Sequence, residues 1–355
     1  MASHIATGVS LRASVTLPVS NSSMDSSRTS SHPSAATSKT ATTTPEGSPS
    51  TMAMTAGAKM AGTDDSQLSL TPDLAYTDAA AIFSLAERAD RLVDCLVVGG
   101  VSAADFHEIE AERDRRGRRI RLFFLPDRAC TIVTIPTGPH EQAHVELYYV
   151  VRDSLKEMGL ANEWQSVAAE TFATGSRGSG EGDSGGGPLW RNDEGGIFWP
   201  TIVIEAGFSQ SMASLCAKAN WWFSVSHNHM KIVLLVKMSF TATESSIAVE
   251  KWTSTTRRTA RPGATTTRSL AHATPSAMEP GCRQRIDISW SGPSPIQQTP
   301  RHGRVATLFT VVGAPMVLGF EELMLRPPVA AHGEHDIVIS AAHFQDLAFR
   351  VWLSV

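Results

Sequence analysis

The side chains with the clearest potential for chemistry are one acid in an apolar stretch and two histidines one helical turn apart. Glu205 ends the run TIVIE, and a charged group inside so apolar a stretch is costly unless it pairs, is protonated or holds a metal. The segment HEQAH, from His140 to His144, matches the HExxH pattern, in which two histidines bind zinc and the glutamate is a general base. Both segments are therefore candidate sites.

The position of HEQAH weakens the zinc-peptidase interpretation. The segment follows Pro139, so it lies in the first turn of its helix, whereas HExxH sites usually occupy the middle of a buried helix. Glu163 and Glu170 are third-ligand candidates only by their distance along the chain. We therefore expect Glu141 to interact with the helix N-terminus and the histidines to be partly exposed, with a zinc peptidase as a minor alternative.

A cluster of basic residues precedes the first predicted strand of a hairpin. It includes Arg115, Arg116, Arg118 and Arg119, within the run ERDRRGRR. These side chains could contact the phosphates of DNA, but a solvated charged turn is the more common role of such a run. The sequence leaves both interpretations open.

The hydrophobic pattern predicts an α/β fold. Residues 199–238 indicate a strand, a helix and a second strand, with Glu205 at the end of the first strand. An amphipathic helix is predicted after Pro139 and a terminal helix from Ala341 to Trp352. A first helix, capped by Asp78, is expected to carry Leu85 and Leu92 and to end at residues 99–100, and residues 173–197 are expected to form a Gly-rich loop.

Composition excludes few functions. The chain has 355 residues, 42% of them hydrophobic, and a formal net charge of −4, which gives no overall electrostatic argument for nucleic acid or an anionic membrane. No stretch approaches the roughly 20 apolar residues of a membrane span. The four cysteines are far apart and predict reduced thiols, and the N-terminus is a poor secretory signal. We expect an intracellular protein, nuclear or cytoplasmic, without a membrane partner and not secreted.

Composition also divides the chain. Residues 1–70 are rich in Ser and Thr and predict a disordered tail, because they bury too little apolar surface to offset the entropy of ordering. Residues 71–252 carry the α/β core. Residues 253–303 predict a low-complexity insertion with a short strand at 285–290, and residues 304–355 complete the core with a strand and helix.

Several of these segments, taken in order, carry a resemblance. They are IPTGPHEQAH and its helix, Asp183-Ser184, WPTIVIEAGFSQS with LCAKANWWF and MKIVLLVKM, EKW, VLGFEELMLRPP and the closing helix. In this order and spacing the chain resembles a protein family of filamentous fungi, which is itself similar to the PD-(D/E)xK nuclease-like superfamily that includes restriction endonucleases. The resemblance implies a restriction-endonuclease-like core, a central mixed sheet flanked by helices in the order αβββαβ.

The resemblance also implies site residues. Asp183 matches the first metal-binding acid, Glu205 the second, and Glu141 an accessory acid, and together they imply Mg²⁺ as the cofactor of an active enzyme. A lysine should lie two residues after Glu205, but the chain has Gly207 there. A migrated lysine is expected from Lys218 or Lys231.

The missing lysine decides how the functions are ranked. The first hypothesis is a degenerate nuclease-like fold that acts as a nucleic-acid or protein interaction module and has no cofactor. The alternative is a Mg²⁺-dependent DNA endonuclease that hydrolyses phosphodiesters with Asp183 and Glu205. The sequence predicts neither the substrate nor the oligomeric state.

Overall fold

The computed structural model describes residues 70–90, 92–117, 119–168, 170–194, 198–240, 245–256, 278–291 and 306–355. The helices in these ranges are α1 Ala79–Arg88, α2 Ala103–Arg115, α3 Gly138–Glu157, α4 Met212–Val225, α5 Phe320–Met324 and α6 Ala341–Leu353. The strands are β1 Leu74–Ala75, β2 Cys95–Gly99, β3 Arg121–Leu125, β4 Cys130–Thr134, β5 Trp164–Val167, β6 Thr171–Ala173, β7 Ser179–Glu181, β8 Ser184–Pro188, β9 Ile202–Gly207, β10 Ile232–Phe240, β11 Ser245–Thr256, β12 Met278–Trp290, β13 Phe309–Val312, β14 Met316–Leu318 and β15 Ile337–Ile339.

The strands form two mixed sheets and a separate pair, which confirms the α/β class. The first sheet has the order β1-β2-β4-β3-β7-β6, and the second has β13-β12-β11-β10-β9-β8-β5. Strand β1 is parallel to β2 and β9 is parallel to β10, while the other neighbours within both sheets are antiparallel. Strands β14 and β15 pair antiparallel.

The predicted strand–helix–strand unit is β9, α4 and β10, and it is confirmed. A parallel pair needs a crossover, and α4 supplies it. Upstream, α3 leads into β5, and β5 and β8 pair antiparallel before β8 pairs with β9. Along the chain, the elements that build this part of the second sheet therefore follow the order α3, β5, β8, β9, α4, β10.

Side chains of β9 alternate between two cores. Ile202 and Ile204 belong to a core that contains one face of α3, whereas Val203 belongs to a core that contains α4 and residues of the first sheet. Successive side chains of a strand point to opposite faces, so Glu205 shares the face of Val203. The acid is therefore directed towards α4.

Two sequence predictions about elements are wrong. The first helix ends at Arg88, and Leu92 precedes a strand, β2, because the apolar run CLVVG pairs in the first sheet. The predicted loop at residues 173–197 contains β7 and β8. Its glycines favoured a loop, but a Cβ on Gly186 would collide with Trp164 and with Tyr148 from α3, so close packing requires glycine in this strand.

Other predictions fall partly outside the described residues. The predicted disordered tail, residues 1–70, lies outside the described residues except for its last residue. Within the predicted insertion, β11 continues to Thr256 and β12 spans Met278–Trp290, so these residues extend the second sheet. All four cysteines are free. Among the described residues, no helix combines the length and the apolar character that crossing a membrane would require.

Candidate functional site

Asp183 and Glu205 are brought together by the register of β8 and β9. Ser184 pairs with Ile204 in this antiparallel ladder, and Asp183 and Glu205 are the next residues beyond this pair on the two segments. Directly opposite residues of an antiparallel pair have Cβ atoms about 5 Å apart. The Asp183 carboxylate also accepts a hydrogen bond from the Ala206 backbone nitrogen at 2.9 Å. Asp183 and Glu205 therefore belong to one site, and both are buried.

Both carboxylate oxygens of Glu205 have partners from α4. Lys218 Nζ lies 3.0 Å from Oε2, and Trp222 Nε1 donates to Oε1 at 2.7 Å. Burial raises the pKa of Glu205 to about 7 against the attraction of Lys218. Burial also opposes the charge on Lys218, but Glu205 and Asp183 hold the pKa of that amine above its usual value. Lys218 therefore stays cationic.

Asp183 is held by cationic side chains from two other elements. Its Oδ1 lies 3.3 Å from Arg121 Nη1 on β3 and 3.2 Å from His140 Nε2 on α3. Burial opposes ionisation of this acid, but His140 and Lys218 hold its pKa well below the usual value. Asp183 is therefore a buried carboxylate within a network of cations.

His140 bridges two buried acids. Its Nδ1 lies 3.1 Å from Asp94 Oδ2, and its Nε2 faces Asp183. Burial favours the neutral ring, but these two carboxylates raise the pKa of His140 to about 9. Arg121 Nη1 lies 3.3 Å from the same Nε2, a contact that would suit a neutral ring. Because both ring nitrogens face carboxylate oxygens, we assign His140 as the imidazolium.

Asp94 holds the turn after β9 against the start of β2. Its carboxylate accepts from the backbone nitrogens of Phe208 at 2.6 Å, Ser209 at 2.7 Å and Gln210 at 3.3 Å. Burial opposes its ionisation, but His140 and these donors lower the pKa of Asp94 to about 2. This carboxylate therefore fixes the segment that follows Glu205.

Glu141 and His144 continue the network along α3. Glu141 Oε1 accepts from Arg121 Nη1 at 2.9 Å, and Glu141 Oε2 lies 3.3 Å from His144 Nε2. His144 Nδ1 lies 2.8 Å from Ser184 Oγ. Burial opposes the ionisation of Glu141, but His144 and Arg121 lower its pKa to about 2. The prediction that the histidines are partly exposed is wrong: His140 is 0% and His144 2% exposed, because the first turn of α3 is covered by the acids and by β8.

The two lysine candidates have different surroundings. Lys218 contacts Glu205, whereas Lys231 Nζ donates to the Asn228 carbonyl at 2.8 Å. Lys231 immediately precedes β10, while Leu235 is the β10 residue that pairs with Glu205. The structure therefore joins Lys218, and not Lys231, to the predicted acids.

The predicted phosphate-binding arginines are partly paired with acids. Arg115 and Arg116 both form ion pairs with Glu112, and Arg116 also contacts Glu87. Arg119 is exposed, and Arg118 lies outside the described residues. Among the described members of the cluster, Arg115 and Arg119 are thus the most accessible.

Sequence reasoning missed Asp94, Arg121 and Trp222 as members of this network. A signal existed for Asp94, which directly precedes an apolar strand, just as Glu205 lies within one. Trp222 is four residues after Lys218 on α4, so the two share a helix face. Arg121 is the first residue of β3, before four consecutive buried residues, and carried no distinguishing signal.

The charges of the network nearly cancel. Its acids are Asp94, Glu141, Asp183 and Glu205. Its cations are Arg121, His140 and Lys218. Each of the four oxygens of Asp183 and Glu205 already contacts a protein donor. Mg²⁺ prefers carboxylate oxygens and water in near-ideal octahedral geometry. It does not fit between these two acids unless Lys218, Arg121 or His140 moves away.

Comparison with known proteins gives no family assignment. No protein-family model matches the chain, and no curated protein sequence matches it.

Proposed function

We propose that this chain is a catalytically silent member of the PD-(D/E)xK nuclease-like fold, retained as a nucleic-acid or protein interaction module. Asp183, Glu205 and Lys218 are the remnant of its catalytic centre. The cations that now neutralise the two acids make this centre a structural element. No cofactor takes part in the proposed function.

The order of elements supports the fold part of this proposal. The implied core is αβββαβ. Four strands of the second sheet and two helices follow the order α3, β5, β8, β9, α4 and β10 along the chain, with β6 and β7 of the first sheet between β5 and β8. The pairing is antiparallel from β5 to β8 and from β8 to β9, then parallel from β9 to β10. Asp183 directly precedes β8 and Glu205 lies on the neighbouring strand β9, an arrangement that supports their proposed descent from the two acids of such a core.

The observation that carries the loss of catalysis is the complete burial of the acids with their cations. The side chains of Asp183 and Glu205 are 0% exposed, and that of Lys218 is 1% exposed. A phosphodiester of DNA is large and charged, so it needs an open site to reach a metal or an attacking water. These acids have no solvent-facing surface for such a substrate.

A Mg²⁺-dependent DNA endonuclease is the second candidate. The contact between Lys218 and Glu205 favours it, because a migrated lysine from α4 would have to lie beside this acid. This candidate requires the cations around both acids to move before metal and substrate bind.

Plasmid nicking separates the two candidates. The purified full-length chain is incubated with supercoiled DNA and Mg²⁺ or Mn²⁺, and Mg²⁺ binding is measured by titration calorimetry. We expect no nicking above buffer and no Mg²⁺ binding. Metal-dependent nicking that is lost in Glu205→Gln and kept in Glu279→Gln, a substitution at an exposed acid on β12, would overturn the proposal.

The class of partner is tested by anisotropy with labelled single- and double-stranded DNA. If the module binds nucleic acid, the double variant Arg115→Glu and Arg119→Glu should weaken binding at constant salt. Arg350→Glu, a charge reversal at a half-exposed arginine on α6, should have less effect. Absence of DNA binding in the parent chain would assign the module to a protein partner.

A further inference from the structure

We propose that His140, Glu141 and His144 form a binding site for a transition-metal cation such as Zn²⁺ at the start of α3. This inference does not rest on the proposed function, because it concerns different ligands from the Asp183 and Glu205 pair and a different class of metal.

The three side chains already converge. One ligand atom from each of His140, Glu141 and His144 lies within 4.8 Å of the others. Two ligands bound to one zinc at bond lengths near 2.0–2.1 Å are about 3.4 Å apart. Small side-chain rotations therefore suffice to bring these atoms onto one ion. The two histidines are four residues apart on α3, a spacing that places them on the same helix face.

His144 provides an independent observation. Its Nε2 atom is buried and makes no hydrogen bond of good geometry among the described residues, although Glu141 Oε2 is 3.3 Å away. A buried ring nitrogen without a partner costs free energy unless something accepts its lone pair or proton. The nitrogen points towards the Glu141 carboxylate, where a cation would satisfy both atoms.

The second nitrogen of each ring is held as in metal-bound histidines. His144 Nδ1 lies 2.8 Å from Ser184 Oγ, and His140 Nδ1 lies 3.1 Å from the Asp94 carboxylate. Partners of this kind fix the tautomer and the ring orientation and make the other nitrogen a better ligand. Both rings therefore present Nε2 to the cluster, and metal binding to His140 releases the Nε2 proton of its imidazolium form to solvent.

The ligand types select the metal. Two imidazoles and one carboxylate suit Zn²⁺, Co²⁺, Ni²⁺ or Cu²⁺, whereas Mg²⁺ favours oxygen ligands alone. The Glu141 side chain is 38% exposed, which gives an ion a route from solvent.

Arg121 lies beside the same ligand atoms that a bound cation would use. Its Nη1 lies 2.9 Å from Glu141 Oε1 and 3.3 Å from His140 Nε2. A divalent ion bound by the same two side chains would displace this guanidinium by charge repulsion. Arg121 and the metal therefore compete, and removing the guanidinium should strengthen metal binding.

The test uses the full-length chain freed of metal with a chelator and dialysed against Zn²⁺ or Co²⁺. We expect one equivalent of Zn²⁺ by elemental analysis and visible absorption bands of Co²⁺ in a low-coordinate site. Absence of a stoichiometric ion, or binding of Mg²⁺ with equal affinity, would overturn the proposal.

Variants locate the ion. Ser184→Ala removes only the hydroxyl behind His144 and should weaken Zn²⁺ binding about tenfold. His144→Ala and Glu141→Gln should remove the Co²⁺ spectrum, Arg121→Met should tighten binding, and His107→Ala, on an exposed histidine of α2, should match the parent. Should His144→Ala fail to fold by circular dichroism, Ser184→Ala and Glu141→Gln decide the matter. Parent-like affinity in both would refute the site.

Discussion

Lys218 Nζ lies 3.0 Å from Glu205 Oε2, and neither side chain is more than 1% exposed. The lysine comes from α4 and the acid from β9, so the pair ties the crossover helix to the strand that precedes it. The indole of Trp222, one turn further along α4, holds the other carboxylate oxygen. Glu205 is therefore satisfied entirely by its own strand–helix unit.

Removing Lys218 should be strongly destabilising. Lys218→Met leaves the Glu205 carboxylate buried without a counter-ion, and the loss of one partner of a buried pair costs about 3–5 kcal/mol. The double variant Lys218→Met and Glu205→Gln should be more stable than Lys218→Met, because no uncompensated charge remains at that position. Urea unfolding of the parent, both single variants and the double variant at pH 8 measures this coupling. Additive effects would contradict it.

The stability deficit of Lys218→Met should grow with pH. The pKa of Glu205 is about 7 in the folded chain against an ordinary value of 4.5, so its contribution to stability falls as pH rises through this interval. Without Lys218 the folded pKa rises further, and the fall extends above pH 7. Denaturant titrations at pH 6 and 8.5 test this, with Lys231→Met, at a half-buried lysine, as the control. An equal loss of stability in Lys218→Met at pH 6 and pH 8.5 would contradict a raised pKa for Glu205.

Gly207 occupies the position where the nuclease pattern has lysine, and it is closely packed. A Cβ at this position would lie 2.7 Å from Gln210 Cβ, so any side chain forces the turn after β9 to shift. We expect Gly207→Ala to lose about 1–3 kcal/mol, the usual cost of overpacking. Gly281→Ala on β12, where the nearest contact would be an arginine carbon at 3.9 Å, is the matched control. Thermal unfolding of both variants measures the difference, and equal melting temperatures would refute the packing argument.

Asp94 should contribute more to stability than an exposed aspartate. The Asp94 carboxylate accepts hydrogen bonds from the backbone nitrogens of Phe208, Ser209 and Gln210. Asp94→Asn replaces one of its oxygens by an amide nitrogen, which is a donor and cannot accept them. We expect a loss of about 3 kcal/mol, because buried donors lose a charged partner. Asp287→Asn, at a side chain that is 56% exposed, should change stability little. Chemical denaturation compares the stabilities of the two variants. A similar small effect at both positions would show that Asp94 does not hold the turn after β9.

Part of the site could be predicted from sequence because it is local. Because side chains alternate along β9, Glu205 and Ile204 point to opposite faces of the sheet. The four-residue spacing of Lys218 and Trp222 places these two on one face of α4. A right-handed crossover then packs that helix against the strand. The α/β class and the strand–helix–strand unit follow from the same periodicities.

Only the tertiary structure decided the partners of the other acids. Asp94 reaches His140 across 46 positions and Phe208 across 114, and Arg121 reaches Asp183 across 62. Such contacts depend on how the first sheet packs against α4 and the second sheet, which hydrophobic periodicity does not specify. The same packing buries the histidines of HEQAH, a short pattern that alone predicts either an exposed helix turn or a metal site. The sequence thus identified the acids and histidines of the site as candidates. Their burial and the pairing of the acids with distant cations depend on the tertiary structure.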